Sequence, residues 1–258
     1  MGAKGRLFIV LLAAGLAGVL SFLLVDLEQL IRVIPVPEGE AAPELPPWLL
    51  LKVASVIQPA LLTTAAAAVG VWLAGKVGLR APAAEAFAER RAIWPAIRPQ
   101  IVPGVVAGIL SGIAIVALWL IAKPFLPEVF LARAVEFNNL LPAATRFLYG
   151  GLTEEILLRW GVMTLLVFVL WKVFRGEPRG ANFVASIFIS ALLFGMGHLP
   201  IAFVLGGGLT MPMVIYVVAA NSLFGIVAGF LYWRIGLEAA MIAHIFVHVV
   251  LLAAMNRV

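Results

Sequence analysis

The chain has 258 residues, 64% of them hydrophobic and only 12% charged, with a formal net charge of +5. A soluble domain of this size carries about 25% charged residues, so this composition, with a mean hydropathy of +1.11, excludes a pair of soluble domains. The lack of cysteine excludes disulfides, thiol catalysis, Cys-bound metal and S-lipidation, and the basic residues gather in loops beside apolar runs, which suits anionic lipid headgroups and not nucleic acid.

Apolar runs occupy 7–25, 48–75, 101–122, 143–172, 183–199, 211–233 and 237–255. Each is close to or above the ~20 residues that a bilayer requires. The first follows Lys4 and Arg6, has no small-residue cleavage site after it, and reads as a retained helix. The second is expected to tilt or break at Pro59. The segments 76–98 and 123–142 read either as interfacial amphipathic helices or as plain solvated loops. Residues 200–210, with Gly206, Gly207 and Gly208, read as a flexible connector. No span is expected to carry a G-x-x-x-G dimer surface, so the oligomeric state is left open. The expected fold is all-α: a polytopic transmembrane bundle of seven to eight spans around a polar cavity. Residues 1–142 form the leading spans and loops, and 143–258 the helices that carry the chemistry, within one membrane domain.

Loop charge alternates. Residues 26–47 hold Asp26, Glu28, Glu38, Glu40 and Glu44 against Arg32, whereas Lys76, Arg80, Arg90, Arg91 and Arg98 mark 76–98, and Lys172, Arg175 and Arg179 mark 172–179. The positive-inside rule then sets the N-terminus and both basic loops in the cytoplasm. The expected location is a prokaryotic plasma membrane.

The ionisable residues at membrane depth are the informative ones. Of 13 acidic residues all but Glu154 and Glu155 sit in loops or at span ends, and all 3 histidines, His198, His244 and His248, lie within or at the edge of spans. Such residues cost about 2.5–3.5 kcal/mol each at the bilayer centre on insertion scales and normally mark a functional interior. Glu155 and Arg159 are four apart and pair on one helix face; His244 and His248 share a face in the same way. A carboxylate and an imidazole in a dry cavity activate water as general base, and further imidazoles donate to an oxyanion. That set suits peptide hydrolysis without a covalent intermediate. The zinc signature H-E-x-x-H is absent, the only aspartate is Asp26 in a loop, and no G-x-S-x-G elbow occurs.

Three motifs lie in order on apolar spans: Glu154-Glu155-Ile156-Leu157-Leu158-Arg159, Phe194-Gly195-Met196-Gly197-His198 and His244-Ile245-Phe246-Val247-His248. In these the sequence resembles the CAAX protease and bacteriocin-processing family of intramembrane glutamate proteases. The resemblance covers roughly 143–255. It implies that Glu154 and His198 activate the attacking water, that His244 and His248 line the oxyanion site, and that Glu155 and Arg159 orient the first motif. It implies a membrane-associated peptide or protein substrate, prenylated in the CAAX case, and no cofactor. The departure is His248, where the best-studied members have Asn. That leaves a metal reading open, with His198, His244 and His248 as zinc ligands and Glu154 as base. A transporter or scaffold that keeps these residues as polar contacts is the alternative outside enzymes. The span count sets the site toward the outer half of the bilayer.

Overall fold

The computed structural model describes residues 1–32, 47–174, 177, 179–255 and no others. Glu38, Glu40, Glu44 and Arg175 of the charge pattern therefore lie outside the described residues. Among the described residues there is no strand, and seven helices are long and apolar enough to cross a membrane: Ala3–Leu24, Leu49–Val77, Trp94–Phe125, Ala143–Phe174, Gly180–Gly206, Met211–Arg234 and Leu237–Ala254. They are called the first to seventh spans. Large apolar side chains such as Leu61, Trp72, Leu110, Ile121 and Ile215 stay exposed on their outer faces. In water that would be an aggregation surface; in lipid it is the ordinary exterior of a bundle.

Pro59 does not break the second span, which runs as one helix from Trp48 to Val77. The Thr63 hydroxyl donates to the Pro59 carbonyl at 2.6 Å and that of Thr64 to Ala60 at 2.7 Å. Such local bonding is how membrane helices tolerate proline. The two loops read as ambiguous each contain a helix, Pro82–Ala88 and Glu128–Leu140. The reading of 200–210 as a flexible connector is corrected for its first part: Leu199–Gly206 is helical, and only Gly207 and Gly208, both at positive φ, form the turn. Pro200 in the first turn pre-sets the helical φ, which explains why a segment flanked by glycines still winds.

The expectation of no G-x-x-x-G spacing is also corrected. Gly104, Gly108 and Gly112 repeat every four residues along the third span, and Gly225 and Gly229 do so on the sixth. Both stripes are consumed inside the chain. A Cβ on Gly104 would lie 2.9 Å from the Ala239 carbonyl, one on Gly108 2.7 Å from Phe246 Cβ, and one on Gly112 2.7 Å from Val250 Cβ, so the stripe lets the seventh span approach backbone to backbone. Gly225 and Gly229 face Ala191 and Ile187 of the fifth span in the same manner.

The fourth span is the hub, packing on the first, second, fifth, sixth and seventh. Gly18 of the first span abuts Thr153 and the Leu148 carbonyl, and the Thr153 hydroxyl donates to the Gly15 carbonyl at 2.7 Å. Trp160 is 1% exposed and lies against Gly70, its indole N–H directed at the Ala67 carbonyl at 3.3 Å. The seventh span is fixed at its start. Glu238 accepts from the Ala84 amide at 2.8 Å and from Gln100 Nε2 at 3.1 Å, while Gln100 Oε1 accepts from the Ala239 amide at 3.0 Å. A carboxylate in that first turn also complements the helix dipole.

Candidate active site

The fourth span is not a plain α-helix where the first motif lies. Arg146–Glu154 and Ile156–Met163 are π-wound, with α-helix resuming at Thr164. A π-segment widens the helix, shifts the register of every side chain after it, and is commonly found at functional sites. Here it brings Glu154 and Glu155 to face the seventh span.

Glu155 is fully buried. Its Oε1 accepts from His244 Nδ1 at 2.8 Å and makes an ion pair with Arg159 Nη1 at 3.1 Å. The expected pairing of Glu155 with Arg159 is thus present, with an imidazole added to it. Arg159 is 1% exposed; its Nη2 donates to the Gly225 carbonyl at 3.2 Å, and its guanidinium lies 4.9 Å from the Phe194 ring and 5.5 Å from that of Phe224. A buried ion pair is tolerable only when hydrogen bonds and partners surround it, and the two aromatic faces supply part of that surround.

Glu154 is the more accessible of the two carboxylates. Its Oε2 lies 3.7 Å from His244 Nε2. This is too long for a direct hydrogen bond. His244 therefore sits between the glutamates, with Nδ1 on Glu155 and Nε2 facing Glu154. Because a carboxylate only accepts, Nδ1 carries the proton, and in the neutral ring Nε2 offers its lone pair toward Glu154. The His248 ring stacks on that of His244 with centroids 5.1 Å apart and planes 11° apart. Gly150, four residues before Glu154, makes room for both: a Cβ there would lie 2.5 Å from His248 Nε2 and 3.3 Å from His244 Nε2.

His198 occupies the break in the fifth span, between Gly197 and Leu199. Its Nδ1 donates to the Phe194 carbonyl at 2.9 Å, which fixes the tautomer and leaves Nε2 as the free lone pair. Among the described residues no ion-pair contact joins His198 to Glu154. The link runs through Phe194, whose ring centroid is 4.9 Å from His198 and 6.0 Å from His244, edge-on to both. His198 also lines a cavity of about 460 Å³ with Asn138, Asn221, Trp119, Phe137 and Tyr216, on a mostly apolar wall. Among the described residues no three His, Asp or Glu side chains are placed to hold a metal ion.

The structure thus gathers Glu154, Glu155, Arg159, His244 and His248 in direct contact and sets His198 one ring away. Sequence reasoning passed over Arg146 and Gly150. The signal that finds them is spacing, since Arg146, Gly150 and Glu154 fall every four residues, with Gly150 packed against His244 and His248.

Fold and site define a polytopic membrane protein with a carboxylate–imidazole cluster inside the bundle. Residues 136–250, somewhat under half of the chain, match the family described as Type II CAAX prenyl endopeptidase Rce1-like. This is the family that the three motifs resemble, and with the seven apolar spans it makes the chain an integral membrane protein of the protease, hence hydrolase, class. No curated protein and no solved structure matches the chain.

Proposed function

We propose that the chain is a membrane-embedded endopeptidase of CAAX type that hydrolyses a peptide bond in a lipid-anchored substrate, with Glu154 as the base that activates water. The observation that carries this reading is the run Arg159–Glu155–His244–Glu154. In it one carboxylate is committed to holding an imidazole, and the second, the more accessible of the two, faces that imidazole at 3.7 Å.

In this reading Glu154 takes a proton from a water bound beside its carboxylate as the water oxygen attacks the peptide carbonyl. His244, oriented by Glu155, receives and returns protons at Nε2. When protonated, it donates to the oxyanion together with His248. His198, with its Nε2 lone pair on the cavity side, assists at the same water from the opposite wall. The proton taken up is then delivered to the leaving amine, and the tetrahedral species collapses to a carboxylic acid and a free amine. Glu155 and Arg159 are positioning residues. The apolar cavity beside His198 is suited to an isoprenoid or acyl chain, which favours a lipid-modified substrate. With the basic loops in the cytoplasm, the cluster lies toward the opposite half of the bilayer.

The test is cleavage of a fluorogenic farnesylated CAAX peptide by the detergent-purified protein. Wild type, Glu154→Ala and His198→Ala are compared with and without chelator. Cleavage by wild type alone, indifferent to chelator, supports the reading. Loss to chelator would move it to a metalloenzyme built on the same histidines. Full activity of Glu154→Ala would overturn it.

A further inference from the structure

Lys76 lies in the last turn of the second span and Lys172 in the last turn of the fourth, both at the end of the bundle that carries the basic loops. Their ammonium groups flank one ring. Lys76 Nζ is 4.2 Å from the centre of the Trp72 ring and 5.7 Å from that of Phe168. Lys172 Nζ is 5.6 Å from the same Phe168 ring and 4.1 Å from Trp171. The two charges are therefore no more than about 11 Å apart, on flexible stems that can close on one anion. Trp171 stands edge-on to Phe168 at 5.7 Å between centroids, so two spans share an aromatic floor beneath two cations.

The charge there is one-sided. At the same end of the bundle Arg80 is paired with Glu85 and Arg91 with Glu89. Among the described residues no carboxylate comes within ion-pair distance of Lys76 or Lys172. A ring face attracts an ammonium but has no net charge, so both positive charges are kept for a partner outside the chain. Toward the middle of the spans the surface turns apolar. Ala65 and Ala68 fall at helical spacing from Trp72 and Lys76, Leu165 and Val169 lie beside Phe168 and Lys172, and all four are exposed. A soluble anion matches only the cationic half of this surface. An amphiphile with an anionic headgroup and acyl chains matches both halves.

We propose that Lys76 and Lys172 form a binding site for one anionic phospholipid. The phosphate sits between the two ammonium groups, the glycerol region lies beside Trp72 and Trp171, and the acyl chains run along the apolar strip. Indole rings favour that depth, where one edge is wet and the other is in lipid. The site is at the end of the fourth span remote from Glu154 and does not depend on the protease reading. Its occupant bridges the second span to the fourth, the span on which the rest of the bundle packs.

The experiment follows tryptophan fluorescence of the detergent-purified protein in mixed micelles carrying brominated phosphatidylglycerol or brominated phosphatidylcholine, whose bromine quenches nearby indoles. Wild type is expected to reach half-quenching at an about tenfold lower mole fraction of the anionic lipid. Lys76→Gln/Lys172→Gln moves that midpoint to the phosphatidylcholine value. Lys4→Gln/Arg98→Gln, which removes the same charge from the same end of the bundle, leaves it near wild type. Equal midpoints for the two lipids in wild type overturn the proposal. So does a control pair that shifts as far as the lysine pair, which is the mark of a diffuse field without a site. Displacement of the anionic lipid by millimolar inorganic phosphate overturns the lipid assignment in favour of a soluble anion. If the double lysine variant does not elute as a monodisperse species, Lys76→Gln and Lys172→Gln are read singly; each is expected to shift the midpoint part of the way, and no shift in either overturns the proposal.

Discussion

Glu155 Oε1 and His244 Nδ1 meet at 2.8 Å although 89 residues separate them in the chain. This bond ties the fourth span to the seventh, sets which imidazole nitrogen faces Glu154, and supplies the anion that Arg159 requires. Two neighbouring glutamates thereby have opposite structural duties, and their substitutions should differ in kind.

Replacing Glu155 by Ala leaves Arg159 buried without its anion and frees the His244 ring. A broken buried pair costs about 3–5 kcal/mol. Glu155→Ala is therefore expected to unfold at much lower temperature in detergent and to lose activity. Glu154→Ala is expected to lose activity with a melting temperature close to wild type. Tryptophan-fluorescence melting of both variants beside wild type checks this, and equal melting points for the two would refute the division of labour.

Gly150→Ala puts a methyl group where the imidazole edges of His248 and His244 now lie. The expected result is a folded protein whose kcat falls at least about tenfold, because a displacement near 1 Å from productive geometry costs on that order or more. Side-by-side kinetics and melting curves make the measurement, and a normal kcat would show that the close approach of His248 is dispensable.

Gly108→Ala forces a Cβ against the Ala243 backbone and Phe246. Overpacking of that kind costs about 1–3 kcal/mol. Gly75→Ala is the control, because nothing lies within 4 Å of its Cβ position; Ala for Gly within a helix is neutral to stabilising by up to about 1 kcal/mol. Opposite shifts in melting temperature are expected.

Phe194→Leu removes the ring that touches His198, His244 and the Arg159 guanidinium at once. Activity is expected to drop while the backbone bond from His198 Nδ1 to residue 194 persists, because that bond uses only the carbonyl. Phe194→Tyr, which keeps the ring, should restore much of the rate. Equal loss in both variants would refute a role for the aromatic face.

The spans and the acidic and imidazole residues at depth were legible in the sequence because charge is rare in a membrane interior. Glu154, Glu155, His198, His244 and His248 stood out against almost empty apolar runs. The partner of each was less legible. The resemblance couples Glu154 with His198, whereas the imidazole facing Glu154 within 4 Å is that of His244. The π winding around Glu154 and Glu155, which shifts side-chain register, leaves no mark in hydropathy. Arg146 was hidden for a related reason. It lies only a few residues into its span, where an arginine ordinarily reaches for water, and its burial depends on Asn138 from a helix outside the span. Residues 200–206 were misjudged because the glycines that follow outweighed the helix-starting proline.

The glycine stripe of the third span has a consequence for how a substrate reaches the cluster. With Gly104, Gly108 and Gly112 set against the Ala239, Ala243 and Val250 region, the wall carrying His244 and His248 is seamed shut and acts as a keel. Parting it would uncover two bare helix backbones to lipid. On the far side the short helices Glu128–Leu140 and Leu199–Gly206 lean on each other around the apolar cavity, and among the described residues one polar contact ties them, Arg133 to the Leu205 carbonyl at 3.3 Å. If the protease reading holds, a guest arriving sideways from the bilayer is expected to slip under that eave and meet His198 first.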